Sequence, residues 1–206
     1  MYVPQKISDE MKLVMDVENK FFVYIDKGFY PNEESDRIFQ ELEKQVEYNV
    51  GSFFSIYGKK IPIPRKQTAY GDPGTSYSFT NQVTKAKPWI PILQKIRKDI
   101  EYFTGKTFNF CLVNRYEDGN QYIGYHKDSE LDLVEEPSIV SLSFGATRKF
   151  YFKSDNKDVK VVKLELNHGC LCWIIDPTNK TWKHSVPKEK KVKSPRINIT
   201  FRHIAI

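Results

Sequence analysis

At Gly105 the spacing of apolar residues along this 206-residue chain changes from a helical to a strand period. Upstream, Ile38, Phe39, Leu42 and Val46 mark one face of an amphipathic helix between Pro31 and Val50, with Asn32 expected as its N-cap and Glu33 and Glu34 in the positive first turn. A second helix is expected from Pro88, where Trp89, Ile92, Leu93, Ile96, Ile100 and Phe103 share a face until Gly105 stops it. Downstream, segments 107–116, 138–144, 148–153, 159–166, 169–175 and 196–203 are rich in Val, Ile, Phe, Tyr and Thr and are separated by turn-forming clusters. Such a pattern predicts a mainly β, α+β fold: strands closed into a sandwich or barrel, with the helices packed outside it.

Residues 51–87, between the helices, are rich in Gly, Pro, Ser, Thr and aromatics, which suits strands and loops facing a ligand. No repeat or low-complexity tract divides the chain, so residues 1–206 are expected to form one domain. A hydrophobic content of 40% excludes a disordered chain. Cys111, Cys170 and Cys172 are too few and too close for a disulfide framework, and a reducing compartment fits. No run approaches the ~18 apolar residues of a membrane span and residues 1–10 lack a secretory apolar stretch, so a soluble intracellular protein without a membrane partner is expected.

Charge is unevenly spread. Residues 1–50 hold six Lys/Arg and eleven Asp/Glu, a net charge of −5; from totals of 32 and 26, the remaining residues hold 26 and 15, a net charge of +11. Between Lys183 and Arg202 seven Lys/Arg accompany the single Glu189. The basic part has a polyanion as its obvious partner.

Alternation along 196–203 puts Ile197, Ile199 and Phe201 on one side and Arg196, Asn198, Thr200 and Arg202 on the other. In a sandwich that holds a ligand, the second face brings two guanidiniums to one cavity, and Arg suits recognition of carboxylate or phosphate. Asn114 and Tyr116 likewise form a polar tip beyond Phe108, Phe110 and Leu112. Of four histidines, His126 stands two residues from Asp128, and His184 follows 56 residues beyond Asp128. Two imidazoles and one carboxylate with open positions make the facial triad of non-haem Fe(II) oxygenases, although the ligand types alone also admit zinc. Such oxygenases commonly draw two electrons from a metal-chelating oxo-acid whose far carboxylate needs a cation. Arg196, twelve residues after His184, can supply it. His168 and His203 read as structural or exposed.

The stretch Phe108 to Tyr116, the His126-Lys127-Asp128 pair, Ser141 to Gly145, His184 and Arg196 to Arg202 together resemble the AlkB family of Fe(II)- and 2-oxoglutarate-dependent nucleic-acid dealkylases. The likeness runs from about Arg65 to Arg202 and is strongest to the animal nuclear branch acting on duplex DNA, which shares Pro64 to Gln67, Tyr70 to Asp72 and Lys87 to Pro91. It implies a double-stranded β-helix (jelly-roll) core at 106–206, a nucleotide-recognition region at 51–87 and the second helix at 88–105, with 1–50 as an acidic extension and helix. It assigns Fe(II) to His126, Asp128 and His184, and 2-oxoglutarate to Arg196 with Asn114, Tyr116 and Arg202. The implied reaction uses O2, turns 2-oxoglutarate into succinate and removes an N-methyl group as formaldehyde.

The same resemblance implies a pocket for a base drawn out of the stack, between Tyr77 and Phe79 on one side and His126 on the other, with Glu130 at the exocyclic amino group of 1-methyladenine or 3-methylcytosine. Ile56-Tyr57-Gly58 corresponds to a finger that wedges into the duplex, with Tyr57 where the relative has Phe. Arg65, Lys66, Lys188, Lys190, Lys191 and Lys193 would hold backbone phosphates. The expectation is therefore a monomeric DNA demethylase, nuclear if eukaryotic, with duplex DNA favoured. The alternatives are the same chemistry on RNA or single-stranded DNA, and a non-catalytic barrel that binds nucleic acid.

Overall fold

The computed structural model describes residues 11–49, 53–56, 59–79, 82–128 and 138–205. The chain runs β1 (Met11–Asp16), β2 (Phe21–Asp26), α1 (Asn32–Gln45), β3 (Phe53–Ile56), β4 (Lys59–Pro62), β5 (Lys66–Gly71), β6 (Ser76–Phe79), β7 (Gln82–Lys85), β8 (Lys87–Pro88) and α2 (Pro91–Thr104). It continues with β9 (Phe110–Tyr116), β10 (Ile123–His126), β11 (Ile139–Gly145), β12 (Arg148–Ser154), β13 (Val162–Leu166), β14 (Cys170–Ile174), α3 (Thr178–Thr181), β15 (Trp182–Val186) and β16 (Arg196–Arg202). An eight-stranded sheet in the order β1-β2-β14-β11-β16-β9-β5-β8 faces a four-stranded sheet in the order β10-β15-β12-β13. β3 pairs with β4, and β6 with β7, as separate hairpins. This is the expected jelly roll.

Strand alternation sorts the large sheet into two faces. Val140, Leu142, Ile197, Ile199 and Phe201 turn outward and are buried under Ile38 and Leu42 of α1 and Ile92, Leu93, Ile96 and Ile100 of α2. At about 1.5–3 kcal/mol per large apolar side chain, this layer fixes the register of β11 and β16, because a slip of one residue would reverse both faces. The inward face meets Phe150, Phe152 and Trp182 of the small sheet in a second core, with Phe21, Val23, Cys172 and Ile174 on the large-sheet side. Toward the middle of the large sheet this inner face turns polar: Ser141 and Ser143, with Arg196, Asn198, Thr200 and Arg202 opposite, are all buried.

Three features differ from the sequence reading. The acidic amino-terminal stretch supplies β1 and β2, which extend the large sheet through pairing of β2 with β14. Asn32 is the first residue of α1, with Pro31 at the N-cap and no side-chain cap hydrogen bond, so the expected Asn32 cap is not made. α2 begins at Pro91, with Trp89 ahead of it stacked on Phe201, because proline is favoured at the first helical position; it ends as expected at Gly105, whose φ of 67° is left-handed.

Candidate active site

β10 and β15 pair antiparallel so that His126 stands opposite His184, and the ring centroids lie 4.3 Å apart. Asp128 follows two residues later. His126 Nε2 is 3.6 Å from Asp128 Oδ1, and His184 Nε2 is 3.9 Å from Asp128 Oδ2. One ligand atom from each residue lies within 4.8 Å of the other two, separations that a single ion can bridge. The Nδ1–H of His126 donates to the Gly124 carbonyl at 2.9 Å, which turns its Nε2 toward the cluster.

Burial sets the protonation of these groups. It pushes the His126 imidazole below its usual value, and with the neighbouring His126 it holds His184 down at about 3. Both rings are thus in the neutral form that a metal requires. Burial alone would raise the Asp128 carboxyl, but the Arg202 guanidinium, whose Nη2 sits 2.9 Å from Oδ1, outweighs it and keeps the carboxyl ionised. Two unprotonated imidazoles and one carboxylate suit Fe(II) and leave coordination positions open.

Arg196, the residue expected to hold an anionic co-substrate, is buried on the inner face of β16. It is 1% exposed, and its Nη2 donates to Ser143 Oγ at 2.9 Å, while Nε and Nη1 are buried and have no hydrogen-bond partner among the described residues. Burial lowers its pKa to about 10. A half-satisfied guanidinium is costly in the interior unless an oxyanion arrives to complete it. Its guanidinium carbon lies 5.4 Å from the centre of the Tyr116 ring. Tyr116 lines the same cavity as Asn114, Asn198 and Arg202, and His126, Asp128 and His184 line it too. A larger cavity of about 830 Å³, between β1–β2 and β12–β13, contains none of these groups.

The remaining expected residues divide. Lys66, Lys188, Lys190, Lys191 and Lys193 are exposed. Arg65, expected on backbone phosphates, is 6% exposed: it lies just ahead of β5, and its guanidinium donates through Nε to Asn114 Oδ1 at 2.8 Å and through Nη2 to Gln67 Oε1 at 3.2 Å. Ile56 ends β3, and Tyr77 and Phe79 lie two apart on β6; their side chains, with Tyr57, Gly58 and Glu130, lie outside the described residues. His168 is structural, its Nδ1 accepting the Gly145 N–H at 2.8 Å.

Sequence reasoning missed Ser143, which holds Arg196, and Asn179, whose side chain grips the main chain of Asp128. Ser143 faces Asn198 across β11 and β16 and shares the polar parity, a signal already present in the strand pattern. Asn179 sits in a turn-like stretch 51 residues from Asp128 and gave no such signal.

A sandwich with a His-Asp-His cluster between its sheets is the arrangement of a 2-oxoglutarate-dependent Fe(II) dioxygenase. The chain belongs to the 2OG-Fe(II) oxygenase superfamily, whose sequence pattern matches residues 22–202. It is 48% identical over 182 residues to the human DNA oxidative demethylase ALKBH2, covering 84% of this chain and 70% of that one. It is 35% identical over 188 residues to the mouse alpha-ketoglutarate-dependent dioxygenase alkB homolog 3, covering 86% and 64%. Among solved structures, one titled "The structure of OsALKBH1" superposes with a TM-score of 0.62 at 17% identity, over 93% of this chain and all of that one, and shows the same fold. The alternative of a non-catalytic barrel is set aside by this membership. No helix among the described residues is long and apolar enough to cross a membrane.

Proposed function

We propose that this chain removes N-methyl groups from bases in DNA, with duplex DNA as the favoured substrate, acting as a monomer and, in a eukaryote, in the nucleus. The observation that carries the reading is the 48% identity to a protein named as a DNA oxidative demethylase, joined to the convergence of His126, Asp128 and His184.

His126, Asp128 and His184 would hold the iron, and Arg196, steadied by Ser143, would take the far carboxylate of 2-oxoglutarate. Held there, iron and the oxo-acid would supply the oxidising chemistry that O2 and 2-oxoglutarate, converted to succinate and CO2, provide. Arg202 keeps Asp128 ionised and oriented for the metal. Asn114 and Tyr116 shape the co-substrate end of the cavity, while Ile139, Phe150 and Ile174 wall it with apolar surface and limit water. Arg65 crosses from Asn114 toward the metal ligands, so we place it at the cavity and not on the phosphates.

An extracted base would lie between His126 and the aromatic pair Tyr77 and Phe79, with Glu130 facing the positive charge of 1-methyladenine or 3-methylcytosine. Tyr57, between β3 and β4 in the chain, would fill the gap left in the duplex. Lys66 and the run from Lys188 to Lys193 would meet the phosphates.

With Fe(II) and 2-oxoglutarate, formaldehyde release is expected from an oligonucleotide containing 1-methyladenine, faster from duplex than from single strands. Iron-loaded protein that makes no formaldehyde from any such DNA would reject the reading. Tyr57→Ala should depress turnover on duplex more than on single strands; equal rates would remove the finger assignment, and a preference for methylated RNA would transfer the same chemistry to another substrate.

A further inference from the structure

The lysine-rich run Lys188-Glu189-Lys190-Lys191-Val192-Lys193 contains one acid, and that acid is turned into the protein. Glu189 Oε2 accepts from Arg148 Nε at 3.2 Å and from the Lys149 N–H at 2.8 Å, and its side chain is 16% exposed. Arg148 is itself only 1% exposed. Its other donors reach main-chain carbonyls: Nη1 to Asp118 at 3.2 Å, and Nη2 to Gln121 at 2.9 Å and Pro187 at 2.7 Å. One buried guanidinium thus ties the segment after β9 to the segment after β15.

The main chains of these two segments are joined as well. Glu189 N–H donates to the Gly119 carbonyl at 2.7 Å, Gly119 N–H to Val192 at 3.0 Å, and Val192 N–H back to Glu189 at 2.8 Å. The approach is so close that a Cβ added to Gly119 would lie 1.8 Å from the Glu189 carbonyl oxygen. Only glycine permits it.

The outcome is a braced loop whose cations all point to solvent. Lys188, Lys190, Lys191 and Lys193 are exposed, and Lys188 rests over the Tyr122 ring at 4.6 Å. Among the described residues no salt bridge involves Lys190, Lys191 or Lys193. The loop leaves β15 two residues after His184, beyond Val186 in the cavity wall, and returns to β16 at Arg196. A slack loop with the same lysines would lose conformational freedom on meeting phosphates, whereas this one is ordered beforehand.

We propose that Glu189 is a positioning residue for the nucleic-acid substrate: through Arg148 and Gly119 it holds Lys188, Lys190, Lys191 and Lys193 as a preformed cluster for phosphates of the strand entering the cavity. This rests on the proposed action on DNA. Two physical effects give opposite signs at this residue. If charge alone governed binding, deleting an acid from a cationic loop would tighten DNA binding. If preorganisation governs, the deletion weakens it.

The test is the affinity of the full-length protein for a fluorescent duplex oligonucleotide at several salt concentrations, for the parent, Glu189→Ala and Gly119→Ala. Both variants should bind roughly tenfold more weakly, with a shallower dependence of log K on log salt, despite the extra positive charge in the first. Unchanged or tighter binding by a cooperatively melting Glu189→Ala overturns the proposal. If that variant does not fold, Gly119→Ala, which leaves every charge in place, decides: parental affinity overturns the proposal, and weaker binding supports it. A parent that shows no salt-dependent DNA binding overturns the DNA reading and this inference with it; a parent that binds while both variants match it overturns this inference alone.

Discussion

Asn179 and Asp128 grip one another by two hydrogen bonds: the Asp128 N–H donates to Asn179 Oδ1 at 3.1 Å, and Asn179 Nδ2 donates to the Asp128 carbonyl at 2.7 Å. Asn179 lies in α3, which Thr178 in turn fastens to β2 through both the carbonyl and the N–H of Phe22. The metal carboxylate is therefore positioned through its backbone by an element remote in sequence. Asn179→Ala should weaken iron binding about tenfold or more, read by anaerobic Fe(II) titration at saturating 2-oxoglutarate from the charge-transfer absorption. Asn179→Asp, which keeps the acceptor and loses the donor, should fall between. Parental affinity in the alanine variant would show that the clamp does not set the ligand position.

Arg196 carries opposite consequences for stability and for binding. Among the described residues its Nε and Nη1 meet no partner, which makes it a cost to the ligand-free fold, so Arg196→Met should unfold at the same or higher temperature than the parent. With 2-oxoglutarate at a hundredfold excess over its Kd, the parent should gain roughly 5 °C or more and the variant nothing. A variant that keeps the full 2-oxoglutarate shift would place the far carboxylate elsewhere.

How far the sequence disclosed this site depended on the kind of signal each residue carried. The two faces of β16 were visible because alternation is a local property, and burial confirms Arg196, Asn198, Thr200 and Arg202 on the inner side. His126 and Asp128 were visible as a close pair. Their strands were not, since β10 has four residues and β15 five, of mixed composition. β1 and β2 were hidden for a different reason: Lys12, Asp16 and Asp26 make the stretch look like a charged leader, and only pairing with β14 shows it to be sheet. Arg65 was read with Lys66 because two adjacent basic residues look like one surface patch; the structure separates them, burying Arg65 and exposing Lys66. Asn179 left no trace, because what it binds is backbone, and backbone partners have no residue type.

Arg202 and Asp128 form an ion pair with side-chain exposures of 2% and 5%. In metal-free protein, Arg202→Leu strands a buried carboxylate and should cost about 3–5 kcal/mol. A divalent cation can replace the lost positive charge, so Mn(II) should stabilise the variant by more than it stabilises the parent. Melting temperatures after chelation and after saturation with Mn(II) give both differences. Equal gains in the two proteins would mean that Arg202 and the metal do not compensate the same charge.

Away from the site, Glu34 fastens α1 to α2: Arg37 Nη2 approaches Oε1 at 2.8 Å, and Lys95 Nζ approaches the same oxygen at 3.0 Å. The Arg37 hydrogen bond, then Lys95, outweigh the effect of burial and hold the Glu34 carboxyl at about 2, against 4.5 when unperturbed. A carboxyl depressed in the folded state stabilises it fully above its unfolded value, and the contribution disappears as pH falls through the folded value. Glu34→Gln should therefore lower stability at pH 7, by ~1 kcal/mol given how far Arg37 reaches into solvent. That deficit should persist down to about pH 4.5 and then shrink toward pH 2. Urea midpoints of the two proteins, compared at a series of pH values while both remain cooperatively folded, measure it. A deficit that stays constant across this range would assign the loss to packing of the helix end and not to the charge.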